Sequence, residues 1–155
     1  MTGNETVLRH LNRHLTTELT GRHQYTNHSR LLKNWGVSRL AQRQADYAEE
    51  ERQHADVLAD RILFLGGAPD YQNLRPLSIG KDVRGILQCD LGLVNSAIEH
   101  LRTATADCER EGDYVSYNLM MHMLQDEEEH YDWLAIQLRL VDRIGIENYI
   151  TLNSR

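Results

Sequence analysis

Two Glu-x-x-His pairs with identical spacing are the residues of this chain best suited to chemistry. Glu51 and His54 form the first pair, and Glu127 and His130 form the second, 76 residues later. A separation of three residues places both side chains of a pair on one face of a helix. Two such helices facing each other would direct two carboxylates and two imidazoles to one point. This arrangement predicts a carboxylate-bridged dinuclear iron site inside a four-helix bundle.

A site of this kind takes one further glutamate from each of the two remaining helices. Glu18, which lies 33 residues before Glu51, supplies the first of these. The offset of 76 residues from Glu18 leads to Val94, so the second glutamate is missing. Asp90 lies one turn before Val94, and we expect its short side chain to act at the site only through water. The sequence therefore predicts five metal ligands, with the second iron bound more weakly: Glu18, Glu51, His54, Glu127 and His130.

Four long amphipathic segments must position these ligands, and their boundaries follow from capping residues and glycines. A link from about Ala68 to Lys81 contains both prolines and is long enough to run the length of a bundle. We therefore predict one domain over residues 1–155, all-α, with a ferritin-like four-helix bundle, one long crossover and a short fifth C-terminal helix. The predicted helices are Glu5 to Asn34, Ser38 to Leu65, Asp82 to Glu111, Asp113 to Ile144 and Ile146 to Leu152.

The apolar rows of these helices indicate where the ligands point. Glu18 falls in a row with Leu11 and Leu15, and Glu127 falls in a row that continues through Tyr131 and Leu134. Burying an unpaired carboxylate is unfavourable, so carboxylates at such positions are paired or bound to metal. A structural network of salt bridges is the alternative to a metal site, and five matched positions favour the metal. The other histidines, His10, His14, His23, His100 and His122, show no pairing pattern, and we expect ordinary surface or half-buried residues.

Composition and charge disfavour two further classes of function, nucleic-acid binding and membrane binding. The formal net charge is −6, which disfavours a nucleic-acid binder because phosphate contacts need clustered Lys and Arg. No stretch approaches the run of about 20 apolar residues that spans a membrane, and the N-terminal residues carry charge where a signal peptide is apolar. We expect a cytoplasmic protein that binds neither nucleic acid nor membrane.

Several segments beyond the ligands resemble bacterioferritins. The similarity runs without gaps from the start of the chain to about Tyr149. It is carried by KNWG, HAD, RILFL and DYVS, and by the DEE-H-DWL pattern around Asp126 to Leu134. The chain is therefore identified as resembling the bacterioferritin family, whose members form hollow shells of 24 subunits that oxidise ferrous iron and store the ferric product as a mineral.

The resemblance implies roles for individual residues. Glu18 and His54 would hold the first iron, Glu51 and Glu127 would bridge the two ions, and His130 would hold the second. Tyr25 and Trp133 match aromatic residues near the family's site, and Tyr25 is expected to act with the ligands in catalysis. Asp46 and Glu50 fall where family members place inner-surface iron ligands, and His28 matches a family histidine.

Two positions depart from the family pattern. The terminal carboxylate of the second iron falls at Val94, which predicts weaker binding there and slower oxidation. The methionine that ligates haem from each of two subunits falls at Arg52, while the four Met residues of the chain lie elsewhere. No haem is therefore expected in a homo-oligomer. Arg52 would also bring two positive charges together at the dimer axis unless nearby acids neutralise them.

Three functions remain open. The first is a ferroxidase and iron-storage subunit of a homo-oligomeric shell, with oxygen or hydrogen peroxide as oxidant. The second is a catalytically impaired structural or mineral-nucleating subunit that assembles with a partner bearing a complete site, as Val94 and Arg52 would permit. The third, a small oxidoreductase or DNA-protecting mini-ferritin, is disfavoured by the C-terminal tail and the acidic charge.

Overall fold

The computed structural model describes all 155 residues, and five helices account for most of them. They are α1 (Glu5–Asn34), α2 (Ser38–Phe64), α3 (Val83–Arg110), α4 (Tyr114–Ile144) and α5 (Ile146–Leu152). The all-α prediction is confirmed, and every predicted boundary agrees to within one residue. None of the helices is long and apolar enough to cross a membrane.

Side-chain caps explain where three of the long helices begin. Asn4 accepts hydrogen bonds from the backbone N–H groups of Thr6 and Val7 before α1. Asp82 caps α3 through the N–H of Gly85, and Asp113 caps α4 through the N–H of Ser116. These are the residue types that satisfy the free N–H groups of a first turn. Asp82 and Asp113 therefore lie immediately before α3 and α4, the helices that the sequence predicted to begin at these residues.

Short turns make α1 and α2 one packed pair, and α3 and α4 the other, while α1 also packs against α3. The crossover between the pairs is fastened to one row of α1. Thr20, Gln24 and His28 accept hydrogen bonds from the backbone N–H groups of Arg75, Ser78 and Gly80, at 2.9, 3.1 and 3.0 Å. A side chain at Gly80 would collide with the backbone of Ile86, so the close approach requires glycine. The row thus gives His28 a structural role.

The apolar interior is divided into two large clusters and a small third one formed by Tyr25, Tyr47 and Ala48. One large cluster contains Leu11 and Leu15 of α1 with Met120 of α4. The other large cluster contains Leu40 of α2 with Leu134 of α4, and it includes Tyr149 of α5. Buried polar side chains from α1, α2 and α4 lie between the two large clusters. Tyr131 is 40% exposed, so its predicted place in the core row is wrong; the adjoining row with His130 is the buried one.

Candidate metal centre

The layer between the two large apolar clusters contains the predicted ligands. Glu18 comes from α1, and Glu51 and His54 come from α2. One ligand atom from each of these three residues lies within 4.8 Å of the other two. Glu18 is completely buried and Glu51 is 4% exposed. Two buried carboxylates and one half-buried imidazole are therefore held together.

The second Glu-x-x-His pair lies on α4 in the same buried layer but does not join that compact group. Glu127 and His130 are each 4% exposed. The charge of Glu127 raises the pKa of Glu51, and the charge of Glu18 raises the pKa of Glu127, so the carboxylates are electrostatic neighbours. The structure thus places all five predicted ligands in one buried layer, with three of them clustered and two beside the cluster.

Aromatic rings determine the orientation of His130. Its ring is stacked on Tyr47, with centroids 3.6 Å apart, and it meets Tyr25 edge-on at 5.3 Å. Trp133 lies 5.5 Å from Tyr47, and the guanidinium of Arg43 is about 5 Å from both of these rings. Tyr25 and Trp133 therefore lie beside the layer, as expected. Tyr47 was not predicted as a partner of His130, because the contact joins α2 to α4.

Unpaired buried atoms test whether the residues fit a metal ion. Both oxygens of Glu18, Oε2 of Glu127 and Nε2 of His130 are buried without a hydrogen-bond partner. Buried polar groups in native proteins are almost always hydrogen-bonded or bound to metal. Oxygen and imidazole nitrogen are also the donors that suit iron. The residues present therefore fit a carboxylate- and histidine-bound metal centre.

The pKa shifts reflect the crowding of acids. Burial, followed by the charges of Glu18 and Glu127, raises the pKa of Glu51 well above its ordinary value. Burial also tends to raise the pKa of Glu18, but contact with the Glu51 carboxyl and with His14 and His54 outweighs it and lowers that pKa. Metal-free protein therefore holds protons on some of these carboxyls, and a divalent cation would displace them.

The two imidazoles respond in opposite directions. Burial lowers the pKa of His130 to about 3, so that this ring is neutral and its lone pair is available to a metal. Burial also opposes protonation of His54, but Glu18 and Asp126 outweigh it and raise its pKa to about 9. His54 Nδ1 lies 3.4 Å from Glu18 Oε2, and its Nε2 lies 3.0 Å from Asp126 Oδ2.

A second group adjoins the first on its more accessible side. Glu50, His54 and Asp126 are half-buried, and their ligand atoms also lie within 4.8 Å of one another. Burial raises the pKa of Glu50. Asp46, which the family resemblance pairs with Glu50, instead accepts a hydrogen bond from Gln42 at 2.9 Å. Asp126 thus joins the acids that sequence reasoning assigned to this surface.

Val94 lies where the sixth ligand was missing, and the structure offers no acid in its place. Its side chain is completely buried in the apolar cluster. Asp90 is also buried, but both of its oxygens are engaged, by Gln24 at 3.0 Å, His28 at 2.8 Å and Gln44 at 2.7 Å. Asp90 therefore has a structural role, because three donors from α1 and α2 hold its carboxylate, and its action at the site through water stays a prediction.

The expectation of ordinary, unpaired histidines is wrong for three of them. His14 is completely buried, and its Nε2 lies 2.6 Å from Glu18 Oε1. The contact is close but not aligned as a hydrogen bond. His10 contacts both His100 and Asp107. The spacing of four residues from His14 to Glu18 could have revealed the first contact, whereas the contacts from α1 to α3 had no sequence signal. His23 and His122 are exposed, as expected.

Arg52 is neutralised by acids on its own helix. Its guanidinium donates to Glu49 at 2.8 Å and to Asp56 at 3.0 Å. The three side chains occupy spacings of three and four residues on one exposed face of α2. The positive charge that was expected to repel its counterpart at a dimer axis therefore has two carboxylate partners.

Comparisons with known proteins agree with this fold. A family model described as "Ferritin-like domain" matches residues 8–144. A bacterioferritin of Rhodobacter capsulatus is 40% identical over 154 residues, covering 99% of this chain and 96% of the relative. A bacterial ferritin of Synechocystis is 41% identical over 151 residues, covering 97% of each chain. A bacterioferritin of Mycobacterium avium is 39% identical over 149 residues, covering 96% of this chain and 94% of the relative.

The family match and the identity over nearly the whole length define the class. The chain belongs to the ferritin-like proteins and, among them, to the bacterioferritins. The resemblance inferred from the sequence is thereby confirmed.

Proposed function

We propose that this chain is an iron-storage subunit that binds ferrous iron in the buried layer, oxidises it and passes the ferric product to a mineral inside an oligomeric shell. The observation that carries the proposal is the buried set of carboxylate and imidazole atoms without hydrogen-bond partners, which comprises atoms of Glu18, Glu127 and His130. Membership of the bacterioferritins supports the shell, for which we propose 24 copies.

The ligand roles follow the family pattern. In this proposal, Glu18 and His54 bind the first ferrous ion, Glu51 and Glu127 bridge the two ions, and His130 binds the second. Two ferrous ions supply the two electrons that reduce oxygen to hydrogen peroxide, or hydrogen peroxide to water, and each reduction takes up two protons. The carboxylates favour the ferric product because they lower the net charge of the loaded site.

Val94 makes the second position the weaker one in this proposal. It leaves His130 and the two bridging carboxylates there, with no terminal carboxylate. Because Asp90 is held by three donors, its carboxylate does not compensate for the missing one. We therefore propose a ferroxidase whose fast phase is slower than that of a chain with a complete ligand set.

The test is to add ferrous iron anaerobically to the purified assembly, admit oxygen and follow ferric absorbance. Glu51→Gln and Glu127→Gln should abolish the fast phase, because each removes a bridging charge while preserving side-chain size. Glu99→Gln is the matched control, since Glu99 is exposed on α3. Equal fast phases in all four proteins would contradict the proposal.

A second function is favoured by the apolar surroundings of Val94 and by the partnered Arg52. In this alternative, the chain is a structural or nucleating subunit that assembles with a ferroxidase-competent partner subunit. Mass measurement of the shell purified from the native cell distinguishes the two functions. A shell of one chain that mineralises iron unaided agrees with the first function. A mixed shell, together with an inactive pure shell, agrees with the second.

A further inference from the structure

Three histidines form a cluster on the α1–α3 side of the bundle, away from the second Glu-x-x-His pair. His10 and His14 are four residues apart on α1, and His100 lies opposite them on α3. The ring of His100 is 5.3 Å from that of His10 and 6.2 Å from that of His14, centroid to centroid. His14 touches the proposed ligand Glu18, whereas His10 and His100 have no role in the function proposed above.

We propose that His10 Nδ1 and His100 Nε2 together bind one divalent transition-metal ion, Zn²⁺ being the probe of choice, at an accessory site distinct from the metal centre. The two nitrogens are hydrogen-bonded to each other at 3.1 Å, and the ion would take the place of the proton between them. An ion about 2.1 Å from each of them would have a nitrogen–metal–nitrogen angle of about 95°, between the angles of octahedral and tetrahedral coordination. Imidazole is a ligand that suits zinc, copper, nickel and iron.

The other nitrogen of His10 is held as metal-binding histidines usually are. His10 Nε2 donates to Asp107 Oδ2 at 2.7 Å, and Arg110 donates to the other oxygen of Asp107 at 2.6 Å. A carboxylate on the far nitrogen fixes the tautomer that leaves the near nitrogen with its lone pair. In a neutral His10 ring, that lone pair is on Nδ1, the atom facing His100.

His100 is held in the form that a metal needs. Burial, with the neighbouring His14 and Arg13, lowers its pKa to about 3, so the ring stays neutral. When its Nε2 binds an ion, its proton resides on Nδ1, which is buried without a hydrogen-bond partner. His14 Nδ1 is likewise buried without a partner, and the rings of His14 and His100 lie 6.2 Å apart, centroid to centroid.

The charges around the cluster determine how its metal affinity compares with that of the carboxylate-rich centre. Asp107 is the only carboxylate in contact with His10, and it is partly neutralised by Arg110. Arg13 and Arg75 add positive potential at His100. The accessory site should therefore be weaker than the carboxylate-rich centre. Because the His10 side chain is 14% exposed, solvent can supply the remaining ligands.

The experiment uses the assembled protein with Glu51→Gln and Glu127→Gln, in which the main centre is disabled. Calorimetric titration with Zn²⁺ should detect a site in each chain whose affinity falls at least tenfold in His100→Gln and in His10→Gln. Asp107→Asn should weaken the site by about 10- to 100-fold, as loss of an outer carboxylate does elsewhere. His122→Gln is the control, because His122 is an exposed histidine on another helix.

Anomalous scattering at the zinc edge should place the ion between His10 and His100. Absence of Zn²⁺ binding in the disabled background, or binding unchanged by both histidine substitutions, would overturn the proposal. If His100→Gln does not assemble, the more exposed His10 decides the outcome. Loss of ferroxidase activity in the same background tests the main centre separately, so the two proposals can fail independently.

Discussion

His14 Nε2 lies 2.6 Å from Glu18 Oε1, and neither side chain is exposed to solvent. A histidine one turn before a proposed ligand thus touches an oxygen that would bind the first ion in the proposed function. The other oxygen of Glu18 faces His54 at 3.4 Å. Glu18 is therefore positioned from both sides by imidazoles, and its lowered pKa keeps it ready to bind a cation.

Replacing His14 should weaken metal binding without removing a ligand. We expect His14→Leu to lower affinity for the first ion by about 10- to 100-fold, the usual effect of losing a residue that orients a ligand. His14→Gln should recover part of the loss, because an amide can still donate to Glu18. Titration of the anaerobic protein with Co²⁺, followed by its visible absorption, measures the change. Equal affinity in wild type and His14→Leu would contradict a positioning role.

Restoring the missing carboxylate should strengthen the second position. Val94→Glu is expected to increase the amplitude and rate of the ferric fast phase. Val94→Gln, whose new side chain has nearly the same shape as that of glutamate, should not. In the metal-free protein Val94→Glu should lower Tm, because a carboxyl replaces an apolar side chain in a packed cluster. Stopped-flow absorbance and calorimetry measure the two effects. A fast phase unchanged by Val94→Glu would show that position 94 does not limit oxidation.

Metal binding should release protons and become tighter as pH rises. Because their pKa values are raised, Glu51 and Glu127 retain protons to a higher pH than ordinary glutamates, and His54, with a pKa of about 9, is protonated near neutral pH. A metal binds only the deprotonated ligands, so affinity is present at high pH and is lost as pH falls. Titration with Zn²⁺ in two buffers of different ionisation enthalpy counts the released protons. Heats independent of the buffer would contradict this prediction.

Haem binding should depend on position 52. We expect no Soret band from wild type reconstituted with haem, because Arg52 cannot serve as the thioether ligand. Arg52→Met should bind up to one haem per two chains, if the dimer follows the family pattern. Arg52→Gln is the matched control, since it also frees Glu49 and Asp56 but supplies no sulfur. Similar Soret absorption in wild type and Arg52→Met would show that another residue ligates the haem.

The Asp90 network should matter for stability. Asp90→Ala would leave buried donors of Gln24, His28 and Gln44 without a partner, and we expect a loss of about 3–5 kcal/mol, as when one member of a buried charged network is removed. Asp142→Ala removes an exposed partner of Arg84 and should cost less than about 1 kcal/mol. Thermal unfolding of the assembled variants compares the two. Equal Tm values would argue against a structural role for Asp90.

The sequence predicted features that depend on one helix at a time. Caps such as Asp82 and Asp113, and glycines after helices, placed the boundaries to within one residue because they act locally. The i, i+3 pairs predicted the candidate ligands for the same reason. The apolar row of α4 was less reliable: Tyr131 and His130 are adjacent, and only packing against α2 determines which of them is buried.

Contacts that depend on the relative placement of two helices could not be predicted from the sequence. The contact of His10 with His100 needs the relative rotation of α1 and α3, and the stacking of Tyr47 on His130 needs that of α2 and α4. No spacing within a chain encodes such rotations. The structural role of Asp90 was not predicted because its three donors lie on α1 and α2, far away in sequence.

The layer of ionisable side chains divides the bundle into two apolar halves, one around Leu11 and Met120 and the other around Leu40 and Leu134. Without cations, the acids between the halves repel one another. A bound cation attracts these acids and thereby holds the two halves together. Any ligand bound only by the folded chain raises its stability. The rigidity of each subunit should therefore increase with the amount of iron available to it.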